Sequence, residues 1–329
     1  MYLLITIDTE GDNAWARKGY ENCTRNARFL PKFQELCEKF GFKPTYLTSY
    51  EMAKDDFFVE FASDALKRNR CEVGLHPHPW NMPPEYKLTS HDMILHPYMI
   101  EYPANIIREK VKVLTDLLQE QLGAKVCSHR AARWAFNSTY AKILCEFGYK
   151  VDCSVAPYVP DILPSRSGPD AIKVVLPDYS VFSAEPYFCD EHDISKAGKM
   201  PLLEVPMTIV PNYGRILSDI YYNWIPRGTW QLLFRGIFGR PQKWFRPTHR
   251  RAGDLTDVAK RKMRQDSDYI MFMIHSSELM PGGNPQFKNT RAINKCYASI
   301  EGVFQWLHQK GCMGVTCSEF YDLYLKGDP

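Results

Sequence analysis

The chain is predicted to fold as a single α/β domain over residues 1–329, a barrel of (β/α)7-8 type. Three observations predict it. Short apolar runs alternate with longer segments of helical period, the signature of repeated βα units. With 45% hydrophobic and 24% charged residues the composition is ordinary globular, and the length fits one large barrel or two smaller domains. No linker divides the chain, which favours the single barrel.

The first strand is Leu3–Asp8, and a helix follows over about Thr24–Phe40, closed by Gly41. A second strand, Thr45–Thr48, precedes a helix near Glu51–Asn69. The third strand, Cys71–His76, runs into a Pro-rich loop and a helix over about Ala104–Leu122. There Ile106, Ile107, Val111, Leu114, Leu117 and Leu118 form a broad apolar face that Gly123 ends. The fourth strand is Lys125–His129, the next helix Asn137–Phe147, and the fifth strand Tyr149–Ser154. Lys173–Leu176 and Leu202–Val210 read as further strand pieces. Tyr269–Ile274 is a strand, Thr290–Gln309 a long helix, and Met313–Thr316 a last strand before a last helix. Counting Leu202–Val210 as the sixth strand gives eight.

From about 157 to 266 the rhythm breaks. Residues 213–251 carry Arg215, Arg227, Arg235, Arg240, Lys243, Arg246, Arg250 and Arg251 against one acid, Asp219, a net +7 in a chain of net +3. Trp224, Trp230, Trp244, Phe234, Phe238 and Phe245 are interleaved with them. The segment is either a solvated excursion capping one barrel end or an electropositive aromatic surface for an anionic substrate or a membrane face. No recognition module for nucleic acid accompanies it, and the overall charge is too small to imply one. Ten cysteines occur without a CxxC pair, mostly inside periodic segments where a free thiol packs as a small hydrophobe. Met1–Asp8 enters a strand directly, with no basic region or cleavage site, and no apolar run reaches the ~18 residues of a membrane span. The expected compartment is cytoplasmic, so the Asn-x-Thr triplets at Asn22 and Asn137 are read as coincidences.

Chemistry concentrates at predicted strand ends. Glu72–Trp80 places His76 and His78 two residues apart, so both face one side if the run stays extended. Pro77 and Pro79 bias each preceding histidine towards that geometry. Asp8 and Glu10 share the same spacing at the end of the first strand. Barrel strand ends meet around one cavity, and a carboxylate with two histidines is a common catalytic zinc set; a second carboxylate beside it suits a general base. The fourth strand leads into Arg130 and Arg133, and an arginine beside a catalytic carboxylate keeps it ionised. Asp152 lies in the fifth strand. His275 ends an apolar strand, a place for a general acid, and is followed by Ser276, Ser277 and Glu278.

These motifs resemble the NodB-homology polysaccharide deacetylases, carbohydrate esterase family 4, from Leu4 to about Thr316 outside the basic excursion. Leu4–Asp12, Glu72–Trp80, Ser128–Trp134 and Ile274–Leu279 match the family's first, second, third and last motifs. The resemblance implies a distorted, often seven-stranded barrel, with Asp8 as base, Glu10 as metal carboxylate, Arg130 orienting Asp8 and His275 as acid. The family's metal histidines stand four apart, which would be His76 and Trp80; here His78 takes the second position. The family's Asp-Trp fourth motif is absent, and Asp152 takes its place as partner to His275. Trp80, Trp134, Arg133 and Glu278 are candidates for substrate binding, while His91, His96 and His129 are read as structural.

The expected activity is metal-dependent removal of the N-acetyl group of an amino sugar, with zinc the expected ion and a backbone N–H near Trp134 meeting the oxyanion. A cytoplasmic nucleotide- or lipid-diphosphate-linked precursor would be the substrate, with peripheral membrane contact through 213–251. The alternatives are a glycosidase or other amide hydrolase on the same barrel, or an inert glycan- or membrane-binding homologue. The oligomeric state is not assigned.

Overall fold

A computed structural model describes residues 1–12, 23–160, 177–214, 217, 220–225, 229–247, 252–265 and 267–327. Eleven strands are formed among them. They are β1 (Tyr2–Thr9), β2 (Pro44–Thr48), β3 (Glu72–Leu75), β4 (Ser128–His129), β5 (Val151–Asp152), β6 (Tyr187–Phe188), β7 (Leu203–Glu204), β8 (Ile209–Pro211), β9 (Gln242–Trp244), β10 (Tyr269–His275) and β11 (Met313–Val315). The main sheet runs β10-β1-β2-β3-β4-β5-β7-β6, with β11 beside the first residues of β1. Every pairing in it is parallel except β6 with β7. β8 and β9 form a separate antiparallel ribbon. Backbone bonds from Phe245 N–H to Thr208 O and from Met273 N–H to Phe245 O bring that ribbon against β10, so the curled sheet turns back on itself as a distorted barrel. All eight strands expected from the sequence take part, except that Leu202–Val210 divides between β7 and β8. Lys173–Leu176 lies outside the described residues.

Alternation along β1 sets the inside and outside of the barrel. Leu3, Ile5 and Ile7 join the large core under the helices, whereas Tyr2 and Leu4 join a second core with Met271, Met273, Val205 and Phe320. Thr6 and Asp8 continue the inner row by the same period. On β10 the odd-numbered residues from Tyr269 to His275 are the inner ones, and Ile270, Phe272 and Ile274 pack under the helices. Gly74 in β3 is required by packing: a Cβ there would lie 2.3 Å from Ser128 Oγ, so only glycine lets β4 approach this closely.

The helices Ala104–Leu122 and Thr290–Gln309 have the bounds that their apolar period predicts. The expected helix near Glu51–Asn69 is two, Tyr50–Ala53 and Asp56–Lys67, because Asp55 turns its carboxylate to cap the Phe58 N–H and restarts the helix. Asn137 caps Ser138–Glu146 through the Tyr140 N–H, which gives that side chain a structural task. All ten cysteines are free thiols.

Candidate metal and catalytic site

The site lies at the C-terminal ends of β1, β3, β4 and β10, the end where barrel enzymes carry their chemistry. β1 delivers Asp8 and then Glu10, whose backbone is pinned by its neighbours. Its N–H donates to Ser276 Oγ at 3.1 Å and its carbonyl accepts from Asn26 Nδ2 at 2.8 Å. β3 leads into His76 and His78. Each of Glu10, His76 and His78 offers one ligand atom within 4.8 Å of the others, and all three are buried.

The donors converge on one carboxylate oxygen. Glu10 Oε2 lies 3.1 Å from His78 Nε2 and 3.6 Å from His76 Nε2. The His76 Nδ1–H donates to the Arg130 carbonyl at 2.9 Å, which leaves Nε2 as the nitrogen facing Glu10. A carboxylate oxygen opposite such a lone pair needs a proton or a cation between them. Burial would lower the His76 pKa, but the charges of Asp8 and Glu10 outweigh it and raise it. Burial would raise the Glu10 pKa, yet the charge of His275 and hydrogen bonds from His76 and His78 hold it well below the usual carboxylate range. Among the described residues, His78 Nδ1 is buried with no hydrogen-bond partner, and its ring is held instead by stacking on Trp80 at 4.6 Å. One carboxylate and two imidazoles therefore form a group that could hold a divalent metal ion, a nitrogen-rich set suited to zinc.

Beside this group stands a buried ion pair. Arg130 Nη1 donates to Asp8 Oδ1 at 2.5 Å, Nη2 to Thr6 Oγ1 at 2.9 Å and Nε to the Cys153 carbonyl at 2.9 Å. Burial favours the neutral Asp8 carboxyl, but the Arg130 guanidinium, with His76 and His275, overrides it and lowers the pKa. Asp8 is thus an oriented carboxylate, with Oδ2 turned towards His275 Nε2 at 3.7 Å. His275 Nε2 is also 3.6 Å from Glu10 Oε1.

His275 is held from behind by Arg246 and Glu278. Arg246 Nη2 lies 3.0 Å from His275 Nδ1 and 2.9 Å from Glu278 Oε1. Glu278 Oε2 accepts from the His275 backbone N–H at 3.0 Å. A guanidinium can only donate, so Nδ1 accepts, and the proton of the neutral ring sits on Nε2, facing Asp8 and Glu10. Burial alone would raise the Glu278 pKa, but the charge of Arg246 and the neighbouring His275 hold it far below the usual range.

Several sequence-derived assignments take different places. Asp152 does not bond to His275: its Oδ1 is 2.5 Å from His129 Nδ1 and accepts from Ser154 Oγ, and its Oδ2 accepts from the Ser154 N–H. Glu278, expected to bind substrate, is fully buried on Arg246 and His275. Trp80 packs its ring on the ligand candidate His78, and Arg133 lies 5.4 Å over the same ring. Trp134 lies against Trp244 at 5.4 Å, and its N–H bonds to the Ala131 carbonyl, so that donor is not available to an oxyanion. Arg133 and Trp134 both have φ of 56°, the left-handed region that costs a non-glycine residue on the order of 1–3 kcal/mol. Sequence reading missed Arg246 as part of the site, because it sits in the irregular excursion. The usable signal was the spacing of His275 and Glu278, three apart at a strand-to-helix turn.

No family model and no curated protein matches this chain. Solved structures do. A candidate glycoside hydrolase/deacetylase from Parabacteroides distasonis has a TM-score of 0.61 at 8% identity, over 99% of this chain and 71% of its own. A GH57 branching enzyme from Thermococcus kodakaraensis has a TM-score of 0.54 at 11% identity, over 98% and 71%. A polysaccharide deacetylase candidate from Mycobacterium smegmatis is 16% identical over 94% and 92%, with a TM-score of 0.46. The chain therefore shares the distorted α/β barrel fold of the first two proteins.

Proposed function

We propose that this chain is a metal-dependent N-deacetylase of an N-acetyl amino sugar. The observation that carries the reading is the convergence of the buried Glu10, His76 and His78 group with the Arg130–Asp8 pair and with His275. A divalent cation, zinc by its donor set, would supply Lewis acidity to the amide carbonyl and the attacking water. Asp8 has one oxygen fixed by Arg130, and the other, Oδ2, which faces His275 at 3.7 Å, takes the proton of the attacking water. His275 acts as the acid in its imidazolium form, which gives the Nε2 proton to the leaving amine and returns to a neutral ring, with Glu278 Oε2 3.5 Å from Nδ1 and Arg246 beside it. A glycosidase reading is weaker, because Asp8 and Glu10 rise from one strand end rather than flanking a bond from two sides.

The substrate class we favour is a nucleotide- or lipid-diphosphate-linked precursor in the cytoplasm, whose negative charge suits the basic 213–251 segment. Acetate release from N-acetyl amino sugar substrates is the test. Asp8→Asn should lower it by about 10³-fold while leaving the bound metal in place. Retained turnover in that variant would overturn the reading.

A further inference from the structure

The strand ladder stops short of the metal group. β2 lies between β1 and β3, and its registered pairs end at Thr9 with Thr48 and at Thr48 with Leu75. Two more backbone bonds extend the ladder, from the Ser49 N–H to the Thr9 carbonyl and from the His76 N–H to the Thr48 carbonyl. Glu10 and His78 stand beyond these bonds, and Pro77 and Pro79 bring no N–H to continue them. The sheet alone therefore does not set the distance between the Glu10 carboxylate and the His78 ring.

A side chain from just past the end of β2 spans the gap. Glu51, in the short helix Tyr50–Ala53, is buried and accepts through both carboxylate oxygens. Oε1 accepts from the Gly11 N–H at 2.9 Å, and Oε2 accepts from Asn81 Nδ2 at 2.7 Å. Gly11 follows Glu10 directly, so the first bond fixes the peptide that leaves the metal carboxylate. Asn81 follows Trp80, whose ring stacks on His78 at 4.6 Å. A ligand histidine is ordinarily oriented by a hydrogen bond at its second nitrogen, and among the described residues His78 Nδ1 has none. The stacked Trp80 takes that part, and the bond from Asn81 to Glu51 holds the chain immediately behind it.

We propose that Glu51 is a positioning residue for the metal group: its carboxylate ties the Gly11 backbone to Asn81 and so holds Glu10 and His78 at the separation that one ion requires. The inference rests on the reading of Glu10, His76 and His78 as metal ligands, and Glu51 is not one of them. His76 is oriented independently, through its bond to the Arg130 carbonyl. Removing the Glu51 carboxylate leaves every ligand atom present and loosens two of the three segments that carry them. The cost falls on affinity for the ion, because a group that must first be brought together binds more weakly than one already in place.

The test is the Zn²⁺ affinity of the metal-free full chain, measured by competition with a chromogenic chelator. Glu51→Ala should weaken it by roughly tenfold or more. Glu51→Gln should stay within about twofold of the parent, since its Oε1 still accepts from Gly11 and its amide pairs with an Asn81 amide turned over to present Oδ1. Asn81→Ala cuts one arm and leaves Glu51 itself untouched; it should weaken binding by roughly fivefold, and it carries the test if Glu51→Ala does not fold. Asn289→Ala, which uncaps the helix Thr290–Gln309, should lower the melting temperature yet keep the parent's affinity, separating positioning from a general loss of stability. A parent that binds no Zn²⁺ overturns the metal reading and this inference with it. Parent-like affinity in Glu51→Ala or Asn81→Ala, a Glu51→Gln as weak as Glu51→Ala, or an equal loss in Asn289→Ala overturns the inference alone.

Discussion

The Glu10–His76–His78 group and the Asp152–His129–Tyr140 group lie at strand ends of the same sheet, and both press imidazole against a buried carboxylate. They differ in what the imidazoles do with their second nitrogens and in what faces the carboxylate. In the second group every position is filled. His129 donates Nδ1–H to Asp152 and accepts from the Tyr140 hydroxyl at Nε2, 2.9 Å away. Burial lowers the His129 pKa and keeps the ring neutral, which that bonding pattern requires. Glu204, paired with Asp152 in the β5–β7 register, is buried beside that carboxylate's charge, and its pKa is pushed well above the usual value. Beside the Asp152 charge the protonated form of Glu204 is the favoured one. In the first group two Nε2 atoms meet one carboxylate oxygen, Glu10 Oε2, while His275 faces the other oxygen at 3.6 Å. A closed network is a structural device and an open one a ligand site, although the residue types are the same.

The largest expected difference is in metal retention. His76→Ala should strip the ion and abolish the fall in melting temperature that a chelator causes in the parent. That fall should be several degrees, since an ion at 100 times its dissociation constant stabilises the fold by about 2.7 kcal/mol. His129→Ala should keep the chelator response while losing about 2–4 kcal/mol of stability, because it leaves Asp152 buried without its main partner. Thermal melts with and without chelator check both.

A second contrast concerns acid–base work. His275→Ala should lower acetate release by about 10²- to 10⁴-fold, whereas Glu278→Gln should act less severely and through His275, by roughly tenfold. The Glu278 variant should move the acid limb of the pH–rate profile more than it moves KM, because Glu278 shapes the Nδ1 side of the ring and need not touch substrate. Kinetics across pH separate the two.

The smallest expected effect is a pH slope in the closed group. The folded pKa of Glu204 is raised, so its contribution to stability is complete below the ordinary carboxylate pKa of 4.5 and is lost as pH rises through the folded value. The Asp152 pKa is lowered: burial opposes this, but the His129 hydrogen bond outweighs it. Its contribution is present above the ordinary range and is lost as pH falls through the folded value. Glu204→Gln mimics the neutral acid at every pH. It should remove the alkaline loss and melt a few degrees above the parent at high pH, with metal content unchanged. Melting curves over a pH series show the slope.

Much of the fold was legible because its long elements repeat a period many times. Ala104–Leu122 and Thr290–Gln309 carry five or so helical turns each, and β1 and β10 alternate over seven or eight residues. β6 and β9 were not legible, since two or three residues hold no period. β4 and β5 are likewise only two residues long, shorter than their apolar runs suggested. At the site, the spacing at the ends of β1 and β3 was enough to bring Glu10, His76 and His78 together. The error over Asp152 has a physical origin: a carboxylate on an inner strand position and one in a closed network look identical in sequence until the neighbouring strand supplies His129. Trp80 illustrates the converse. Standing where a histidine was expected, it packs on His78 and orients the ring that its own position lacks.

The central claim is that the open group binds an ion and the closed group does not. Elemental analysis of the purified parent and of His76→Ala, His78→Ala and His129→Ala tests it most directly. The account predicts a single tightly held divalent ion per chain in the parent and in His129→Ala, and its loss in both His76→Ala and His78→Ala. An ion retained in His76→Ala and His78→Ala, or lost only in His129→Ala, would contradict it.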